Sequence, residues 1–143
     1  MYKETVTSLT KGNEWVKIQP PCPQKDIDNA EKAVGCRFPS ELKALLSEMN
    51  GDRYLLLSAK EIVEQTKLNG EVAEQCDEPY GHSLKNLLFF ATNGCGDYYC
   101  YVKNPDGTID EASVFVWQHE DGSLIKAAES LTELITKYYH DEI

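Results

Sequence analysis

The side chains able to do chemistry are few. Cys95 or Cys100 could act as a nucleophile if His82, His119 or His140 served as its base. His119-Glu120-Asp121, taken with Asp97 and Asp110, could be drawn as a metal or acid–base cluster. A small hydrolase using Asp97, His119 or Cys95 is therefore one reading of these residues. No local spacing supports it. Two histidines on one helical face, which make a zinc motif persuasive, are missing. Asn93-Gly94-Cys95-Gly96 joins two predicted strands and does not open a helix, so it lacks the amide-lined helix start of a phosphate cradle. The cysteines are Cys22, Cys36, Cys76, Cys95 and Cys100, an odd number with no C-x-x-C pair. They read as reduced, structural thiols, with Cys100 a small hydrophobe inside a strand. No catalytic residue, metal or cofactor is expected, and His82 reads as a surface histidine.

These residues sit on or beside three short β-prone runs, Leu87 to Thr92, Asp97 to Lys103 and Ser113 to His119, rich in Phe, Tyr, Val and Trp. Asn93 to Gly96 and Asn104-Pro105-Asp106-Gly107 supply turn chemistry between them. An antiparallel meander follows, extended across Asp121-Gly122 by a fourth strand over Ser123 to Ala128. Phe115, Trp117 and His119 share one face, Val114 and Val116 the other, and Tyr99 and Tyr101 alternate with Tyr98, Cys100 and Val102. Two arrangements stay open. Either helices cover both faces, or one face offers aromatic side chains to a protein partner.

The helices must come from the flanks. Ile27, Ala30 and Val34 form one apolar stripe, stopped by Gly35. Pro39 suits the first turn of a second helix carrying Leu42, Leu45, Leu46 and Met49, closed by Asn50-Gly51, and the two should pack as a hairpin. Ser58-Ala59-Lys60-Glu61 and Ser130-Leu131-Thr132-Glu133 are capping boxes opening two more helices, the last with Leu131, Leu134, Ile135 and Tyr138 on one side. Val6 and Leu9 hint at a helical turn after Tyr2. Glu14 to Ile18 alternates like a short strand, ended by three prolines, and Tyr54 to Leu57 reads as another. Lys67 through Tyr80, with Asn69-Gly70 and Pro79, is expected to be a long irregular loop.

Size and charge set limits. A chain of 143 residues is one domain by length, long enough to bury roughly 68–70% of its unfolded surface without a disulfide or metal staple. No run approaches the ~18 apolar residues of a membrane span, and the first residues lack the apolar core of a signal peptide, so a cytoplasmic protein is expected. The formal charge of −10 disfavours nucleic-acid binding, and two readings of it stay open: attraction of a basic protein partner, or solubility alone.

In order, the segments resemble a known family. Asn29-Ala30-Glu31 to Gly35, then Phe38-Pro39-Ser40-Glu41-Leu42-Lys43, is similar to an alanine–glutamate helix, a small loop, a hydrophobic–proline pair and a helix ending in Asn-Gly. Gly94, Gly96 and Asp97 resemble a glycine-rich turn ending in an acid. Val116-Trp117-Gln118-His119-Glu120 resembles a strand ending in histidine and acid, and Ser130 to Leu134 a closing capped helix. The ordered set, from about Trp15 to Tyr139, resembles the SUKH superfamily of bacterial immunity proteins and fungal cell-wall assembly regulators. Leu42 stands where an aromatic is frequent, Leu131 where phenylalanine is common, and Cys95 interrupts the glycine turn.

The resemblance implies an α+β fold, an antiparallel sheet of about four to six strands packed against helices, over a single domain spanning 1–143. It implies no enzymatic activity. It points to a cytosolic immunity protein that binds and neutralises a cognate toxin domain, such as a nuclease, as a monomer or weak dimer. The alternative is a regulatory or scaffolding domain of the cell-wall-regulator type. The expected partner surface is the sheet edge and turns: Asn93, Gly94, Asp97, Tyr99, Tyr101, Trp117, His119, Glu120 and Asp121.

Overall fold

A computed structural model describes residues 2–75 (69–75 as backbone only), 86–104, 106–118, 120 and 123–142. Helices α1 (Tyr2–Leu9), α2 (Gln24–Val34), α3 (Ser40–Glu48) and α4 (Ala59–Gln75) precede strands β1 (Leu87–Thr92), β2 (Tyr98–Val102), β3 (Val114–Trp117) and β4 (Leu124–Ala128). Helix α5 (Leu131–Tyr139) closes the described chain. The four strands form one antiparallel sheet in sequential order β1-β2-β3-β4. The fold is α+β, with a strand count inside the expected range.

Register divides the sheet into two unlike faces. Leu88 pairs with Tyr101, and Ala91 with Tyr99, which pairs in turn with Val116. These residues join the main core, where Leu42, Leu45 and Leu46 of α3 meet Leu131, Leu134 and Ile135 of α5. A bulge between Phe89 and Ala91 turns Phe90 to this same side. There its ring lies 4.8 Å from that of Tyr101. The opposite face holds a smaller cluster of Leu87, Phe89, Cys100 and Trp117, bordered by half-buried Tyr98, Val102, Phe115 and Leu124.

The helix starts follow their sequence signals. Ser58 and Glu61 form the full reciprocal box at α4, with Glu61 N–H donating to Ser58 Oγ (3.2 Å) and Ser58 N–H to Glu61 Oε1 (3.0 Å). Ser130 Oγ accepts from Glu133 N–H at 3.0 Å at the start of α5. Gly35 ends α2 in the left-handed region, at φ 77°.

Four expectations are corrected. Helix α4 does not give way to a loop at Lys67 but runs through Asn69-Gly70 to Gln75. One interior glycine costs a helix only about 1 kcal/mol, and Glu71, Ala73, Glu74 and Gln75 are good helix formers. The rest of that expected loop, 76–85, lies outside the described residues. Glu14 to Ile18 is no strand; its end and the residue after it bond instead to the loop after α3, with Lys17 N–H donating to Asp52 O (2.8 Å) and Gln19 N–H to Gly51 O (3.0 Å). Tyr54 to Leu57 makes only a bridge, Leu56 with Ala91, beside the β1 bulge. Finally, α2 packs mainly on α4, not on α3, because its stripe of Ile27 and Ala30 faces the same core as Ala59 and Ile62.

Candidate functional site

Two carboxylates anchor the architecture around the expected site. Glu41, in the first turn of α3, accepts from Leu131 N–H (3.1 Å) and Tyr101 hydroxyl (2.9 Å) through one oxygen. It thereby ties α3 to the start of α5 and to mid-sheet. Burial raises its carboxyl above the usual 4.5, although both hydrogen bonds pull the other way. One residue earlier, Ser40 donates to Glu111 of the β2–β3 connection through its N–H (2.8 Å) and hydroxyl (2.6 Å).

Asp52 is the second anchor and is fully buried. Its Oδ1 accepts the N–H groups of Tyr54 (2.9 Å), Leu55 (2.9 Å) and Leu56 (2.8 Å), closing a tight loop around one oxygen. Its Oδ2 accepts the Tyr139 hydroxyl. Gly51 is required just before it. At φ 87°, a Cβ there would lie 2.8 Å from Leu56 O and 2.9 Å from Ser58 N. Asn50 reaches forward instead, its Oδ1 accepting Ala59 N–H (2.9 Å) at the start of α4. The Asn-Gly signature therefore builds this loop, while α3 itself ends at Glu48 with Met49 extended.

Above Asp52, four tyrosines converge. Tyr54 stacks on Tyr139 with ring centroids 6.2 Å apart and meets Tyr138 edge-on at 6.3 Å. Tyr138 also meets Tyr139 at 5.4 Å and Tyr99 at 6.1 Å. Burial, aided by neighbouring Asp52, holds the Tyr139 hydroxyl far above its usual value, and burial pushes Tyr138 up to about 12. Tyr99, Tyr138 and Tyr139, each raised by burial, therefore stay neutral at physiological pH. Tyr54 is 41% exposed, and with Pro20, Asn50, Arg53 and Lys60 it lines a groove of about 660 Å³.

The Asn93–Asp97 turn is held by its own side chains. Thr92 Oγ1 donates to Asp97 O (3.0 Å) and accepts from Gly94 N–H (3.1 Å), and Asn93 Oδ1 accepts from Cys95 N–H (2.8 Å). Asn93 Nδ2 donates to Asp97 Oδ2 at 3.2 Å. Gly94 and Gly96 both take positive φ, 79° and 100°. The turn is a fixed feature with Cys95 exposed on it.

The nine expected partner residues do not share one surface. Tyr99 and Tyr101 are 3% and 0% exposed on the helix-covered face, which corrects their placement as partner anchors: Glu41 and the tyrosine cluster enclose them. Trp117 lies on the opposite face and is itself 9% exposed; its Nε1 is buried with no hydrogen-bond partner among the described residues. Asn93, Gly94 and Asp97 come together in the turn, and Glu120 is exposed. His119 and Asp121 lie outside the described residues. Cys22, Cys36 and Cys100 are buried, and burial raises each thiol, moving it away from the reactive thiolate. Among the described residues no group of three or more His, Cys, Asp or Glu could hold a metal ion, and no helix is long and apolar enough to cross a membrane.

The family comparison fits this architecture. The model of the SMI1 / KNR4 family (SUKH-1) matches residues 21–137. The chain belongs to the SMI1/KNR4 (SUKH-1) family. Its matched stretch takes in α2 through nearly all of α5, and with them Gly51, Asp52 and the 93–97 turn. No curated protein matches the sequence. Sequence reading missed Asp52, Tyr54 and Tyr139 as a unit. The adjacent tyrosines Tyr138 and Tyr139 at the end of an amphipathic stripe were the available signal.

Proposed function

We propose that this SUKH-1 chain is a cytoplasmic immunity protein that neutralises a cognate toxin domain by stoichiometric binding, with no catalytic step of its own. The observation that carries the reading is charge on a rigid frame: a −10 chain whose Asn93–Asp97 turn is locked by its own hydrogen bonds and holds the half-buried Asp97 carboxylate in place. A preorganised acidic surface loses little conformational freedom on binding and attracts the basic substrate groove of a nuclease-type toxin. The partner would then be a basic protein, met by a monomer or weak dimer.

The test is co-expression with the product of the adjacent reading frame, followed by affinity capture and growth rescue. A one-to-one complex that restores growth supports neutralisation. Absence of both would overturn it in favour of a regulatory or scaffolding role, whose partner would be sought by capture from whole lysate. Charge reversal at Asp97 and at Glu120 should weaken capture; unchanged affinity in both variants would remove these residues from the interface.

A further inference from the structure

We propose that the exposed edge of the tyrosine cluster, Tyr54 backed by Tyr138 and Tyr139, docks an arginine side chain of the partner protein. The proposal deepens the protein-binding reading and rests on it.

Four observations converge on a cation. The Tyr54 ring is 41% exposed, yet it is held in place by stacking on Tyr139 and by edge contact with Tyr138. A large apolar ring half in water, fixed by its neighbours, is a preorganised contact surface. Second, the Tyr139 hydroxyl donates to the buried Asp52 carboxylate. That charge-assisted bond moves electron density into the Tyr139 ring and strengthens the negative π-face of the stack that Tyr54 completes.

Third, Tyr138 and Tyr139 form the last turn of α5, the negative end of that helix's dipole. The chain then continues into Asp141 and Glu142, whose N–H groups bond back to Tyr138 O (3.1 Å) and Lys137 O (2.8 Å). On the sheet side, Asp97 acts electrostatically on Tyr99. Fourth, the basic side chains at the end of α5 each face an acid. Lys137 is paired with Glu133 at 2.8 Å, and His140 faces Glu142 at 3.9 Å. Arg53 and Lys60 line the same groove as Tyr54, and Lys60 is itself paired with Glu64 at 3.9 Å. Planar, weakly hydrated guanidinium stacks on aromatic rings better than an ammonium does, so arginine is favoured over lysine.

The decisive experiment titrates the full chain with a nona-arginine peptide, a nona-lysine peptide and a Gly/Ser peptide of equal length. Tyr54→Phe and Tyr54→Leu are compared with the wild type, each checked for an unchanged melting temperature. The arginine peptide should bind tightest, Tyr54→Phe should bind as the wild type, and Tyr54→Leu should bind about 2- to 30-fold more weakly. Equal affinity for Tyr54→Leu would overturn the site. Should Tyr54→Leu melt early, ring-proton shifts in the wild type decide: perturbation at Tyr54 and Tyr138 supports docking there, and shifts confined elsewhere overturn it. Growth rescue separates the two proposals. Wild-type rescue together with peptide affinity unchanged in Tyr54→Leu removes the site and leaves neutralisation standing. Tyr54-dependent peptide binding without wild-type rescue supports the site and removes neutralisation.

Discussion

Tyr101–Glu41 and Tyr139–Asp52 are the same chemical pair in two settings. In each, a phenol donates to a carboxylate that also accepts backbone N–H groups. The Tyr101 pair is closed over: its ring is in the core and its carboxylate joins α3, α5 and the sheet. The Tyr139 pair is the floor of an exposed aromatic surface, because the loop that Asp52 gathers also lifts Tyr54 into solvent. The first holds elements together, and the second converts internal order into a presentable contact. Burial of the two carboxylates runs the other way. Asp52 is fully enclosed, whereas Glu41 keeps some contact with water.

The comparison breaks most severely at Gly51. Gly51→Ala sets a Cβ against backbone atoms of Leu56 and Ser58 and demands positive φ of an L-residue. A loss of about 4 kcal/mol is expected in denaturant unfolding, from backbone strain and overpacking together. A loss under about 1 kcal/mol would mean the loop yields easily and is no rigid floor.

Asp52→Ala comes next. Three N–H groups lose their common acceptor, two of them on buried residues, and about 3 kcal/mol should be lost. The Tyr54-dependent binding should weaken along with it. Stability falling with binding intact would separate the loop from the surface.

The paired tyrosines sharpen the contrast. Tyr139→Phe leaves a fully buried carboxylate one donor short and should cost about 2 kcal/mol. Tyr101→Phe strips a donor from a carboxylate that water can reach and should cost about 1 kcal/mol. Equal costs in chemical unfolding would contradict the assigned difference in burial.

The smallest effect is expected at Glu41→Gln, which keeps an oxygen for Leu131 and Tyr101 and should shift neutral-pH stability by under about 1 kcal/mol. Its signature lies in pH. Because burial raises the folded-state pKa of Glu41 above the usual 4.5, its contribution is complete below that value and declines as pH rises through the folded value. Relative to the Gln variant, the wild type should therefore lose stability upward from about pH 4.5. Melting curves in which the wild type gains on the variant over that range would reverse the sign.

Local signals carried much of the fold. Ser58 with Glu61 and Ser130 with Glu133 start their helices where the capping pattern placed them. The aromatic runs with their glycine turns became a sequential meander. Errors arose where a local pattern competed with a distant partner or a weak breaker. Glu14 to Ile18 alternates like a strand, but Lys17 and the adjoining Gln19 bond singly to Asp52 and Gly51. Gly70 read as a stop, although one glycine is too weak a penalty to end a helix of good formers. Of the expected site, the Asn93–Asp97 turn was legible because its bonds run between near neighbours. Alternation separated Tyr99 and Tyr101 from Tyr98 and Cys100, but the register that sets them opposite Trp117, and the face that the helices cover, depend on distant contacts such as Tyr101 with Glu41, 60 residues apart. Tyr139 and Asp52 stand 87 residues apart, so no spacing announces their pairing.

The start of α3 has a consequence for the chain as it is made. Ser40 awaits Glu111, 71 residues on, and Glu41 awaits the N–H of Leu131, 90 residues on. At about 5–20 residues per second, a ribosome needs on the order of ten seconds to deliver those partners after α3 is synthesised. Until then the apolar side of α3, with Leu42, Leu45 and Leu46, lacks the sheet and α5 that bury it. The fold therefore completes only after synthesis of α5, and nascent chains stalled earlier should bind holding chaperones through that exposed stripe.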